Sequence, residues 1–254
     1  MKRYLLPGVL LAGFLGGACE PSVRSEAFQV VNTFPHDTGA YTQGLLFHDG
    51  KLYESTGRNG ASTVRRVDLA SGRVEAMTPL PDEHFGEGLA RVGDELYQLT
   101  WKAGVAWVYG IDSLEVRRSY TYDGEGWGLC YDGQRLMMSD GSDRLQFRDP
   151  ETFEVMDEIR VTEGGFSVSQ LNELECFDGE ILANVFMSNR ILRIDQGTGE
   201  VIGELDAYSL SLASRRPPNP EAVFNGIARD PSTGHLFVTG KLWPDLFEIR
   251  VERP

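Results

Sequence analysis

The chain is 254 residues long, with 41% hydrophobic and 24% charged residues, a composition that supports a packed core and excludes a disordered polypeptide. Its formal net charge is −14. A duplex-binding protein needs a positive stripe to displace counterions, so nucleic acid is excluded as a partner.

Residues 1–19 read as an export signal. Lys2 and Arg3 precede an uncharged, mostly apolar run over residues 4–18 that ends in Gly16-Gly17-Ala18 before Cys19, the order of a secretory signal. The run is shorter than the ~20 residues a membrane-spanning helix needs. Small residues before a cysteine also fit a bacterial lipoprotein signal, in which Cys19 would carry a lipid and anchor the protein to a membrane. Gly16 stands where such signals usually have leucine, so a plain secretory cut and lipidation both stay open. Both routes predict an exported protein, periplasmic or extracellular, with residues 20–254 as a single domain, a length that all-β domains reach.

Beyond residue 20, short alternating runs are broken by Gly, Asp and Asn, with no long stretch at helical period, which predicts strands and turns. The chain also repeats itself. QGLLFHDGKLYESTG from Gln43, EGLARVGDELYQLTW from Glu87, WGLCYDGQRLMMSDG from Trp127 and NELECFDGEILANVF from Asn172 align without gaps. NGIARDPSTGHLFVTGK from Asn225 aligns with two extra residues in its turn. Each unit is a hairpin of two apolar strands.

The first four hairpins are each followed by two more strand-like runs, at 64–69 and 73–80, 107–111 and 115–122, 145–148 and 154–161, and 191–195 and 200–205. Residues 209–224 form a long connection, read either as part of a binding rim or as a spacer. The fifth unit shows one further strand over 246–251, and residues 28–34 read like its missing fourth strand. Units of four antiparallel strands recurring every 40 to 53 residues predict an all-β, five-bladed β-propeller. The N-terminal strand completes the last blade and closes the ring. A closed ring leaves no long unpaired edge, so the protein is expected to be a monomer.

In a propeller the first strand of each blade lines the central channel. The residues that open these strands are Gln43, Glu87, Trp127, Asn172 and Asn225, and the second strands end at Gly57, Trp101, Gly141, Phe186 and Lys241. The second strand returns antiparallel to the first, so both rings face one mouth. Each hairpin then pairs Glu87 with Trp101, Asn172 with Phe186, and Asn225 with Lys241. One acid, one ammonium, several amides and two tryptophans around a funnel suit a small-ligand site.

Cys130 and Cys176 follow no spacing motif. An exported compartment permits a disulfide between them, but buried free thiols are the preferred expectation. The 4 histidines form no cluster, and neither CxxC nor HExxH occurs, so no metal site or cofactor is expected.

The segments YTQGL (41–45), FGEGLA (85–90), LYQLTW (96–101), GWGL (126–129), LNELE (171–175) and VTGKLW (238–243) resemble the plant-type and bacterial glutaminyl-peptide cyclotransferases, over residues 28–251. The resemblance implies the same five-bladed propeller. It also implies conversion of the N-terminal glutaminyl residue of a peptide or protein to pyroglutamyl, with loss of ammonia. It places the family's acid on Glu87, its lysine on Lys241, and its pocket residues on Gln43, Phe85, Trp101, Trp127 and Asn172. Plant members carry tryptophan where Phe186 stands, so the wall there keeps apolar area and lacks an indole donor.

On this reading Glu87 is base and then acid, its pKa raised by packing against Trp101 and Phe85. Lys241 and Asn172 serve the oxyanion, Gln43 holds the substrate backbone, and Trp101 and Trp127 enclose the glutamine side chain. Two other functions stay open. A non-catalytic binding propeller would need no acid paired with a lysine. A metal-dependent, lactonase-like hydrolase would need several carboxylates converging on a hard cation, whereas the first ring offers only Glu87.

Overall fold

Apolar residues at every second place give each strand two faces. The computed structural model, which describes residues 23–252, stacks such strands into five antiparallel sheets. The expected export signal, Cys19 included, lies outside the described residues.

The first blade is Thr42–His48, Lys51–Thr56, Thr63–Asp68 and Val74–Pro79. The second is Gly86–Val92, Glu95–Thr100, Val105–Gly110 and Val116–Thr121. The third is Leu129–Tyr131, Leu136–Ser139, Arg144–Arg148 and Val155–Arg160. The fourth is Leu171–Phe177, Glu180–Val185, Arg190–Asp195 and Val201–Asp206. The fifth is Phe224–Arg229, Leu236–Gly240 and Asp245–Glu252, completed by Ala27–Pro35 from the start of the described chain. The first strand of every blade packs beside that of the next, and the fifth beside the first, which closes the ring as expected.

The core follows the ring. Each of the buried apolar clusters fills the gap between one pair of neighbouring blades, for example Leu45, Leu52 and Val67 of the first blade against Phe237 and Leu246 of the fifth. The same holds around the circle. Burying one such side chain contributes about 1.5–3 kcal/mol, so every interface holds its two blades together.

Three features were not expected. Arg24–Ser25 adds a short parallel strand to the outside of the fourth blade, through Arg24 opposite Gly203. The same segment then enters the fifth blade, so it straps two blades together. Thr162–Glu163 and Phe166–Ser167 form a small extra hairpin. The connection before the fifth blade carries a helix, Tyr208–Ala213, whose Leu210 packs into the cluster around Phe224 and Trp243.

The expectation of free thiols is corrected. Cys130 and Cys176 form a disulfide, their Cα atoms 5.5 Å apart. They lie on the first strands of the third and fourth blades, which the ring makes neighbours across 46 residues of sequence.

Beside its apolar cluster, the seam between the last and first blades carries a polar network. His36 follows the closing strand, and its ring reaches Trp243 O at 2.7 Å and Glu54 Oε1 at 3.0 Å. Glu54 also accepts from Thr42 Oγ1 (2.6 Å) and Arg65 Nε (2.8 Å), and Arg65 reaches on to Asp37 at 2.9 Å. Burial pushes the Glu54 carboxyl up, but the Arg65 and His36 charges outweigh it and hold the group well below the usual carboxylate range.

Candidate active site

The backbone aims the first ring of side chains. In the hairpins of the first, second, fourth and fifth blades the ladder slips between Thr42 and Gly44, Gly86 and Leu89, Leu171 and Leu174, and Phe224 and Ile227. A bulge bends the strand and re-aims the residue left out of register. The residues at these slips include Gln43, Glu87, Asn172 and Asn225. Beyond each slip one further rung closes the hairpin: Gly57 N–H to Tyr41 O, Trp101 N–H to Phe85 O, Phe186 N–H to Gln170 O, and Lys241 N–H to Val223 O, at 2.8–2.9 Å. Those rungs carry the second ring to the same mouth.

The inner strands approach very closely. A Cβ on Gly128 would sit 1.9 Å from Asn172 O, and one on Gly44 or Gly88 would sit 2.5 Å from the next blade's backbone nitrogen. The fourth blade has Glu173 at the equivalent place. Its carboxylate lies where four glycines leave room, accepting Leu45 N–H at 3.3 Å and Ile227 N–H at 2.8 Å. Burial, helped by the Glu175 charge, holds Glu173 well above the ordinary carboxyl range.

The result is a cavity of about 340 Å³ lined by Tyr41, Gln43, Phe85, Glu87, Trp101, Trp127, Asn172, Phe186, Glu221 and Lys241. All the sequence-predicted site residues line it except Asn225. Asn225 does not line the cavity: its Nδ2 donates to Thr42 O at 3.0 Å and approaches Gln43 Oε1 at 3.5 Å. Gln43 Nε2 in turn donates to Glu87 Oε1 at 2.8 Å. Three blades thus fix the orientation of one carboxyl. The second-ring glycines are seats for rings: a Cβ on Gly57 would fall 2.2 Å from Phe85, and one on Gly141 would fall 2.7 Å from Trp127.

Glu87 is 4% exposed and Lys241 2%. Burial raises Glu87 well above the ordinary carboxyl value, opposed by the Lys241 charge and helped by that of Glu125. Burial lowers Lys241 to about 8, opposed by the charges of Glu87 and Glu221. The ammonium lies 4.8 Å from the Tyr41 ring centroid and 5.2 Å from that of Phe186. The Asn172 carboxamide is buried, its Oδ1 without a hydrogen-bond partner among the described residues. Phe85 meets Trp101 edge-on at 5.7 Å, and Phe186 meets Trp127 edge-on at 5.6 Å.

Sequence reasoning missed Tyr41, Glu221 and Glu125. Tyr41 had a signal, since it aligns with Phe85, two places before the ring residue. Glu221 comes from the connection over residues 209–224. It lines the cavity and pairs with Arg58 at 3.0 Å, which makes that segment part of the rim.

The family model for glutamine cyclotransferase matches residues 10–251. The chain is 39% identical to a glutaminyl-peptide cyclotransferase of Arabidopsis thaliana over 241 residues, which are 94% of this chain and 75% of that protein. The crystal structure of Myxococcus xanthus glutaminyl cyclase superposes with a TM-score of 0.86 at 42% identity, covering 91% of this chain and 99% of that one. With this five-bladed fold and this cavity, the chain belongs to the glutamine cyclotransferase family.

Proposed function

We propose that this protein converts the N-terminal glutaminyl residue of peptides or proteins to pyroglutamyl and releases ammonia, with Glu87, Lys241 and Asn172 carrying the chemistry. The observation that carries this reading is the convergence of a buried carboxyl and a buried ammonium on one cavity walled by Trp101 and Trp127.

The substrate's α-amine attacks its own γ-carboxamide carbon, forming the ring C–N bond. The tetrahedral intermediate then breaks its bond to the former amide nitrogen, which leaves as ammonia. The attacking nitrogen loses a proton and the departing one gains a proton, so one carboxyl can accept and return it. Glu87 has Oε1 engaged by Gln43, and Oε2 makes no hydrogen bond among the described residues. Lys241 and the Asn172 amide serve the oxygen that gathers charge, each such donor being worth about 3 kcal/mol. Folding the glutamine side chain between aromatic walls supplies the near-attack shape an intramolecular reaction needs.

The reading extends to place and state. The protein works outside the cytoplasm, in the periplasm or extracellular space, supported by the signal-like residues 1–19 and by a disulfide, a bond that persists in oxidising surroundings. Whether Cys19 is a lipid anchor is read directly from the intact mass of the mature protein. Filled interfaces between all neighbouring blades support a monomer.

An ammonia-release assay on a glutaminyl dipeptide, run with and without chelator, tests the activity. Ammonia in both arms is expected. Its absence from both would remove the reading, and loss only with chelator would favour a metal-dependent enzyme.

A further inference from the structure

Glu125 lies on the connection between the second and third blades, two residues before Trp127. Its Oε2 accepts the indole N–H of Trp101 at 2.7 Å and the indole N–H of Trp127 at 3.0 Å. The two rings come from different blades, one ending a second strand and the other preceding a first strand. Oε1 lies 3.5 Å from Lys102 Nζ, and that ammonium sits 4.0 Å over the Trp101 ring.

The connection is itself held. Tyr122 N–H donates to Gly104 O at 2.8 Å, and Gly126 N–H donates to Trp101 O at 2.9 Å. A Cβ on Gly126 would fall 2.3 Å from the Tyr122 hydroxyl, so the chain is tightly confined beside Glu125. Burial pushes the Glu125 carboxyl up, but the two indole donors and Lys102 outweigh it, and the group stays ionised at neutral pH. Its hydrogen bonds and its ion contact go to Trp101, Trp127 and Lys102, and its charge also helps hold Glu87 above the ordinary carboxyl value.

We propose that Glu125 is a positioning residue that ties the two indoles together and so sets the width of the slot receiving the substrate's glutamine side chain. The proposal rests on the cyclase reading. Phe85 packs edge-on with Trp101 and Phe186 with Trp127, and Glu125 fixes the indole N–H groups, so each indole has both a ring neighbour and a polar anchor. Without the carboxylate both donors lose their shared acceptor and each ring can turn about its side-chain torsions. A reaction that needs a near-attack shape is sensitive to such displacement, since a misplacement near 1 Å costs up to about 100-fold.

The test uses Glu125→Ala and Glu125→Gln in the full chain, read by kinetics and by indole N–H resonances. The protein has 4 tryptophans. Trp107 donates to His84 and Trp243 to Ala222 O, so their resonances serve as internal references. Glu125→Ala is expected to move the Trp101 and Trp127 resonances only and to lower kcat/KM at least ~10-fold, within the range for lost positioning. Glu125→Gln keeps one carbonyl oxygen for both donors and is expected to restore most of that loss. Unmoved indole resonances, or wild-type kcat/KM in Glu125→Ala, would overturn the proposal. An inactive wild-type protein would instead overturn the cyclase reading, while unmoved resonances would still count against the tie.

Discussion

Glu87 and Lys241, from the second and fifth blades, face one cavity without an N···O approach within 4.0 Å. Each is nearly dry, and burial moves their proton affinities toward each other, the acid upward and the amine downward. A closed ion pair would satisfy both groups. Held apart, they leave room for a substrate that needs a proton acceptor at one end and a positive charge at the other.

That spacing sets a pH profile. Glu87 acts as a base in its carboxylate form, so with a raised pKa kcat/KM, which follows the free enzyme, rises as pH climbs through that value. Lys241 acts as an ammonium, so kcat/KM falls as pH rises through about 8. The expected profile of kcat/KM is a bell. In Lys241→Arg the guanidinium stays charged through this range, so the alkaline limb moves upward even as the bulkier group lowers the plateau. An unmoved alkaline limb in Lys241→Arg would assign that limb to another group.

The seam between the first and fifth blades is predicted to be the most fragile polar part of the ring. Arg65→Met leaves the Glu54 carboxylate buried with its guanidinium gone, a change that costs about 3–5 kcal/mol. Adding Glu54→Leu removes the orphaned charge and should recover much of that loss. Denaturant unfolding of the single and double variants measures both.

The Cys130–Cys176 bond closes 46 residues of chain and is expected to stabilise the fold by ~4 kcal/mol on the chain-entropy account. It joins first strands beside a second cavity at their far ends, away from Glu87. The paired variant Cys130→Ser, Cys176→Ser should therefore unfold at lower denaturant while keeping wild-type kcat. A fall in kcat with stability unchanged would contradict that division.

The ring was legible because each blade repeats one hairpin pattern, which made equivalent positions countable from Gln43 to Asn225. Position in the ring did not reveal depth. Asn225 opens its strand like the others, yet its amide turns toward Thr42 and Gln43 rather than into the cavity. Glu173 was visible as the one break in a column of glycines, but its role as a channel acceptor depends on how closely five backbones converge. Glu125 and Glu221 sit outside the repeat, where alignment gives no coordinate. The disulfide needed cross-blade adjacency, because its cysteines fall at offsets one residue apart in their hairpins. The helix at Tyr208–Ala213 is too short for its period to appear, with Leu210 its main buried apolar anchor.

The most direct measurement compares ammonia release from a glutaminyl peptide by the wild-type protein and by Glu87→Gln. The isosteric amide keeps the fold and the contact with Gln43 but cannot take up the proton. A loss of about 10²–10⁴-fold in kcat is expected, the range for removing a general acid–base group, with an unchanged circular dichroism spectrum. Wild-type ammonia release from a correctly folded Glu87→Gln would contradict it.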